Sequence, residues 1–210
     1  MEPRPTLESL VVADDPATWR AAGFAVDAAG VCAVGTVRIR LVGRGPRRGI
    51  VGLALRDPRS LELDGLPVER SDEPPAAAAP HANGAVAIDH VVAMSPRLER
   101  TVDALRDAGL DLRRLREGST PGGSARQAFF RVGEAILEVV EAPARHPVAR
   151  DPDGPARPWG IAFLAQDLEA TVNALGDLAG TPRDAVQPGR RIVTLERAAG
   201  LGPAIAFMSP

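Results

Sequence analysis

One pattern of elements is written twice in the last two thirds of this chain, and it constrains the fold more than any single residue does. "AVAIDHVVAM", opening at Ala85, alternates and is rich in β-branched residues, so it reads as a strand. "SPRLERTVDALRDAGL" follows. Ser95 suits an N-cap and Pro96 the first helical position. Leu98, Val102 and Leu105 share one face, and Gly109 suits the C-terminal cap. "DLRRLRE" reads as a short strand, and "ARQAFFRV" and "AILEVVEA" flank Gly133-Glu134, a two-residue hairpin turn. The order returns after Pro158. "WGIAFLA" is a strand. "DLEATVNALGD" is a helix capped by Asp167, with Leu168, Val172 and Leu175 as its apolar face. "RDAVQ" is a short strand, and "RRIVTLERA" and "GPAIAFMSP" form a hairpin. A repeat of this length sets the fold class: α+β, built from paired βαβββ units over 85–143 and 158–210. Helices are expected over 96–108 and 168–176, on the outside of the sheet.

Two Pro- and Ala-rich stretches, Ser71 to Gly84 and Ala142 to Pro158, lack helical or strand periodicity and read as linkers. They set residues 1–75 apart from a domain of 76–210. The first region echoes the repeat more faintly. "LESLVVADDPATWRAAGF" resembles "IDHVVAMSPRLERTVDAL" in its strand, its Pro-led helix start and its helix, placing a short helix near Pro16–Ala22. "GIVGLALRD" resembles "GIAFLAQD", but the segment after it, "PRSLELDGLPVERSDE", is too short for a whole unit. The reading is one compact unit and one truncated unit, a degenerate copy preceding the pair.

Composition excludes several functions. The net charge is -2, and aromatic residues are scarce, with five Phe, two Trp and no Tyr. Neither long-range attraction to nucleic acid or anionic membranes nor a stacking platform for single strands is in evidence. All 25 basic residues are Arg, so any one Arg carries little information by itself. The lone cysteine, Cys32, lies in an apolar strand and excludes an internal disulfide or thiolate cluster. No basic head with an apolar run opens the chain, and no apolar stretch approaches the ~18 residues of a membrane span. The expected location is the cytoplasm.

Glu138 poses the chemical question. Its strand is apolar on both faces, and a buried carboxylate without a partner is costly. With a two-residue turn at Gly133-Glu134, Phe129 falls opposite Glu138. Gln127, Phe129, Arg131, Ile136, Glu138 and Val140 then share one face, while Ala128, Phe130, Leu137 and Val139 share the other. In the first strand, strict alternation puts Ile88, His90 and Val92 on one face, with Asp89 turned to solvent.

Paired units opened by "IDHVV" and closed by "ILEVVE" resemble the vicinal oxygen chelate superfamily of glyoxalases, bleomycin-resistance proteins and extradiol dioxygenases. The resemblance covers 85–210 well and the first region weakly. It implies a curved mixed sheet, a cup, with the site inside it. It also implies a metal ligand on the first and last strand of each unit. His90 and Glu138 stand at those positions in the first unit. Gly160 and Ala206 (or Ile205) stand there in the second, and Ser9, Arg40 and Gly49 match in the first region. The ligand set for a divalent ion is therefore incomplete, and no cofactor is expected. Any metal would fall to His90 and Glu138.

The candidate catalytic pair is His90 and Glu138, with His90 held by the carboxylate and serving as a general base. Gln127, Phe129, Trp159 and Arg191 are candidate ligand contacts: Trp159 at the cup mouth, and Arg191, within "QPGRR", as a clamp for an anion. "GSTPGGS", Gly118 to Ser124, lacks the spacing of a phosphate loop and reads as a connection between strands. His81 and His146 carry no assigned role. Three functions remain open: a glyoxalase-like lyase or isomerase acting on a small oxygenated metabolite; a binding protein of the bleomycin-resistance type; and a metalloenzyme whose site is shared across a homodimer by His90 and Glu138 of each chain.

Overall fold

The computed structural model describes residues 4–120 and 123–210. Pro121 and Gly122, inside the expected 118–124 connection, lie outside the described residues. The first region contributes β1 (Thr6–Ala13), α1 (Pro16–Ala21), β2 (Val31–Val34), β3 (Val37–Leu41), β4 (Gly49–Arg56) and β5 (Val68–Arg70). These strands form a five-stranded sheet in the order β2-β3-β1-β4-β5. β1 runs parallel to β3, with Val11 opposite Arg40, and antiparallel to β4. By that register Gly52, rather than the expected Gly49, takes the place in β4 that Gly160 takes in the second unit.

The rest forms β6 (Ala85–Ser95), α2 (Leu98–Asp107), β7 (Asp111–Thr120), β8 (Gly123–Val132), β9 (Ala135–Glu141), β10 (Arg157–Ala165), α3 (Leu168–Leu175), β11 (Arg183–Asp184), β12 (Arg191–Thr194) and β13 (Ala204–Met208). These are two βαβββ units in one mixed sheet, ordered β11-β12-β13-β10-β6-β9-β8-β7. Within each unit the first and last strands are parallel. The units join through their antiparallel first strands, β6 and β10.

α2 begins two residues later than expected. Ser95 is the last residue of β6, and its hydroxyl bonds Thr101 Oγ1 at 2.6 Å and accepts from the Arg97 amide at 3.1 Å. α3 is capped as expected, with Asp167 Oδ1 accepting from the amides of Glu169 and Ala170 at 2.9 and 3.0 Å. The "RDAVQ" strand is paired only at Arg183 and Asp184.

The helices and the small sheet share the outer face of the large sheet. Leu98, Val102 and Leu105 of α2 and Leu168 and Leu175 of α3 are buried there, in one core with Ala128, Phe130, Leu137 and Val139. Trp19 of α1 and Phe24 beyond it meet Phe163 of β10 and Phe207 of β13. Ring centroids lie 5.0 Å apart for Phe24–Phe163 and 6.5 Å apart for Trp19–Phe163. Cys32 is fully buried, which pushes its thiol up to about 12 with help from nearby Asp27, so it stays protonated.

The first linker is not a loose tether. Backbone bonds from Ser71 to Leu55, Ala76 to Thr36 and Ala79 to Ala33 lay it along the small sheet. Glu73 reaches Arg40 at 2.6 Å and Arg38 at 3.6 Å. His81 ends this run. Its Nδ1 accepts from the Ala25 amide at 3.0 Å and its Nε2 bonds Ala33 O at 3.1 Å. Burial holds its imidazole below the usual histidine value, which favours the neutral ring these bonds need. Among the described residues no helix is long and apolar enough to cross a membrane.

Candidate functional site

The site begins with an irregularity in β6. On the β10 side, Ala162 lies opposite His90 and Phe163 opposite Ile88, leaving Asp89 as an extra, unpaired residue. This is a β-bulge, and it puts two consecutive side chains on one face. Ile88 is 3% exposed and belongs to the core, whereas His90 lines the cup. The expected Ile88–His90–Val92 face therefore holds for His90 and Val92 but not for Ile88. Asp89 does not face solvent: it binds His90 directly and enters the site.

His90 stands between two carboxylates. Its Nδ1 lies 2.7 Å from Asp89 Oδ2, and its Nε2 lies 3.4 Å from Glu138 Oε2. The Asp89 contact places the ring proton on Nδ1 and turns the Nε2 lone pair toward Glu138 and the cup. Asp89 Oδ1 accepts from Arg190 Nη2 at 2.8 Å, and Arg190 Nε donates to Ser209 O at 2.8 Å. Burial by itself would raise the Asp89 carboxyl. The hydrogen bonds from His90 and Arg190 outweigh it and hold Asp89 below the ordinary carboxylate value.

Glu138 has the opposite balance. Gln127 Nε2 donates to Glu138 Oε1 at 2.5 Å, and Arg116 Nη1 donates to Gln127 Oε1 at 3.0 Å. Burial dominates and raises the Glu138 carboxyl, against the pull of His90, Gln127 and Arg116. Because the Gln127 amide occupies Oε1, Oε2 is the oxygen left to exchange a proton, and it faces His90. A continuous chain of polar contacts thus runs Arg190–Asp89–His90–Glu138–Gln127–Arg116. The β8–β9 register that delivers Glu138 agrees with the turn arithmetic: Val132 pairs with Ala135 and Phe129 with Glu138.

These groups line a cavity of about 160 Å³. Phe129, Ile192, Met208 and Val186 supply apolar walls, and Arg116, Arg183 and Asp184 supply charge. β7 and β11 are the two edge strands of the large sheet, so the sheet curls far enough to bring both edges to one cavity. His90, Glu138, Gln127 and Phe129 meet in this cavity. Trp159 and Arg191 lie outside its lining: Trp159 is 45% exposed, and Arg191 pairs with Glu169 at 3.7 Å on the other face. Its neighbour Arg190 reaches the polar chain instead. Asp89, Arg190, Arg116 and Arg183 escaped the sequence reading. The doublet "GRR" was the only signal for Arg190.

The register also tests the metal implied by the resemblance. His90 pairs with Ile136 and Val92 with Glu138; correspondingly, Gly160 pairs with Ala204 and Ala162 with Ala206. Gly160 and Ala206 therefore occupy the places of His90 and Glu138 and offer no donor atom. Asp89 spends its oxygens on His90 and Arg190. Among the described residues, no three His, Cys, Asp or Glu side chains converge as a ligand set. Two donors from one chain do not fit a divalent centre, and none of the chemistry below is routed through one.

The sequence matches no protein-family model and no curated protein. Solved structures do match. A mutant of 4-hydroxymandelate synthase from Streptomyces coelicolor aligns with 99% of this chain and 93% of its own, at TM-score 0.64 and 13% identity. A xylose isomerase-like TIM barrel/4-hydroxyphenylpyruvate dioxygenase fusion protein aligns with 99% of this chain, at TM-score 0.62 and 14% identity; the chain spans 49% of that protein. Methylmalonyl-CoA epimerase from Mycobacterium tuberculosis aligns with 60% of the chain and 89% of its own, at TM-score 0.49 and 19% identity. The two whole-chain likenesses are likenesses of fold. In fold, this chain is of the vicinal oxygen chelate type.

Proposed function

We propose that the chain is an enzyme that moves a proton at a carbon next to the carbonyl of a small oxygenated metabolite held in the cup, a lyase or isomerase reaction. One observation carries this reading: His90 is clamped at Nδ1 by Asp89 and presents Nε2, across 3.4 Å, to a carboxyl that burial disposes to keep its proton. His90 Nε2 is the base that takes the proton from carbon. Glu138, whose proton affinity burial raises, in its protonated form donates a hydrogen bond from Oε2 to the carbonyl oxygen, where negative charge develops. The raised Glu138 pKa and the lowered Asp89 pKa separate two carboxylates into a donor and an orienter.

Storage without chemistry is the second reading, in the manner of the bleomycin-resistance proteins. Gly160 and Ala206 favour it, since the second unit brings no reactive side chain to the central strands. Proton exchange separates the two. Pyruvate and 2-oxobutyrate are incubated with the protein in deuterated water, and loss of the signals of the protons beside the keto group is followed by NMR. The enzyme reading expects exchange above the buffer rate, reduced roughly 10²-fold or more in His90→Gln and Glu138→Gln. Binding without exchange, or exchange that both variants retain, would overturn it in favour of storage.

A further inference from the structure

The cavity's two arginines differ from the chain's ion-paired arginines in place and in partner. Arg38 and Arg40 pair with Glu8 and Glu73, Arg100 with Asp64, Arg126 with Glu99 and Glu141, and Arg190 with Asp89. Arg116 and Arg183 both line the cavity, and among the described residues neither has a carboxylate within ion-pair distance. The one polar contact of Arg116 among those residues is with the Gln127 side-chain oxygen. Arg183 pairs across the strand with Ile192, and Ile192 with Met208; all three line the cavity, so this face of β11 and β12 turns inward. The next residue, Asp184, pairs across the strand with Arg191 and also lines the cavity, without an ion pair to either arginine among the described residues.

Two guanidiniums, one on each edge strand of the curled sheet, thus flank a cavity whose apolar walls include Phe129, Ile192, Met208 and Val186. Of the two carboxyls in the lining, Glu138 has its proton affinity raised by burial, and Asp184 lies at the β11 edge. We infer that the ligand of this cavity is a small monocarboxylate, its carboxylate held between Arg116 and Arg183 and its apolar remainder packed on Phe129, Ile192 and Met208. Guanidinium and carboxylate match as planar, charge-assisted partners. The volume, about 160 Å³, suits a single benzene-sized group. The inference rests on the cup as the functional site and adds the class of molecule it takes. It also gives the polar chain a direction: Arg116 reads the ligand's charge and touches, through Gln127, the carboxyl that faces the base.

Equilibrium binding tests this without requiring turnover. The full chain is titrated at low salt with sodium benzoate, with its neutral isostere benzamide and with inorganic phosphate, following the His90 ring signals by NMR. Benzoate is expected to bind roughly tenfold or more tighter than benzamide, and Arg116→Gln and Arg183→Met each to weaken benzoate roughly tenfold while leaving benzamide unchanged. Both side chains are exposed enough for these variants to fold, and thermal melts check that they do. Equal affinity for benzamide, absence of saturable benzoate binding, or full affinity in both variants would overturn the inference. Phosphate displacing benzoate with the same arginine dependence would overturn the carboxylate assignment in favour of a tetrahedral anion. Arginine-dependent benzoate binding without proton exchange on 2-oxo acids would leave this inference standing and remove the enzyme reading. Exchange that ignores both arginines would do the reverse.

Discussion

Glu138 is a carboxylate the fold makes uncomfortable, and that discomfort is measurable. Its folded-state pKa is raised, chiefly by burial, so its charged form is disfavoured relative to the unfolded chain. The stability it contributes is fully present below the unfolded value, about 4.3, and is lost as pH rises through the folded value. Glu138→Gln keeps the shape and removes the titration. Its urea midpoint relative to the parent protein should therefore rise between pH 4 and pH 8; a difference flat in pH would contradict burial as the cause. The pairing of Glu138 with Phe129 and its approach to His90 were legible from a two-residue turn and a period of two. Arg190 was not, because in a doublet of identical residues only the true register decides which one points inward.

The bulge in β6 is the least legible element of the site. Apolar alternation describes "AIDHVV" plausibly either with Asp89 outside or with Asp89 as an added residue. Only the partner strand, where Phe163 follows Ala162 opposite Ile88 and His90, tells the two apart. β1 repeats the device. Leu7 pairs with Leu55 and Ser9 with Ala54, so Glu8 is extra, buried, and bound to Arg38. In each sheet the bulge thus seats a carboxylate against an arginine. Deleting Asp89 should restore plain alternation: Ile88 inward to the core, His90 to the cup, Val91 to the core. The deletion protein should keep its far-UV circular dichroism and lose the fixed Nδ1-protonated tautomer of His90, read from its ring ¹⁵N shifts. If it fails to fold, the bulge is needed for the strand and not merely lodged in it. By contrast, the two helices and both terminal hairpins were readable from caps, period and turn residues, because those signals are local.

At the scale of the whole molecule, the two sheets share one core. Phe163 and Phe207 point away from the cup and meet Trp19 and Phe24 of the first region. Asp14 is fully buried at the same seam, accepting from Trp19 Nε1 at 3.1 Å and from the Gly202 amide at 2.7 Å. Phe163→Ala should cost about 3–5 kcal/mol in urea unfolding. The loss should appear as one cooperative transition if the sheets are one unit; a biphasic curve, with the cup melting first, would show that they are not. The sequence pointed to a degenerate copy in the first region but not to its docking, since aromatic contacts across so many residues leave no periodic trace. The linker was equally opaque: "SDEPPAAAAP" has the composition of a tether, yet Glu73 and its backbone bonds lay it along the small sheet.

Strand order has a consequence for synthesis. Among the strands described, β13 is made after the rest, and it lies inside the large sheet, between β10 and β12. The small sheet is complete once β5 has emerged. On the ribosome, therefore, the contacts of Trp19 and Phe24 with the large sheet wait until Phe163 has emerged, and that of Phe24 with Phe207 waits for β13. Until those contacts form, apolar surface of the first region stays open to aggregation. Slowing translation of the second unit should lower its soluble yield more than slowing translation of the first.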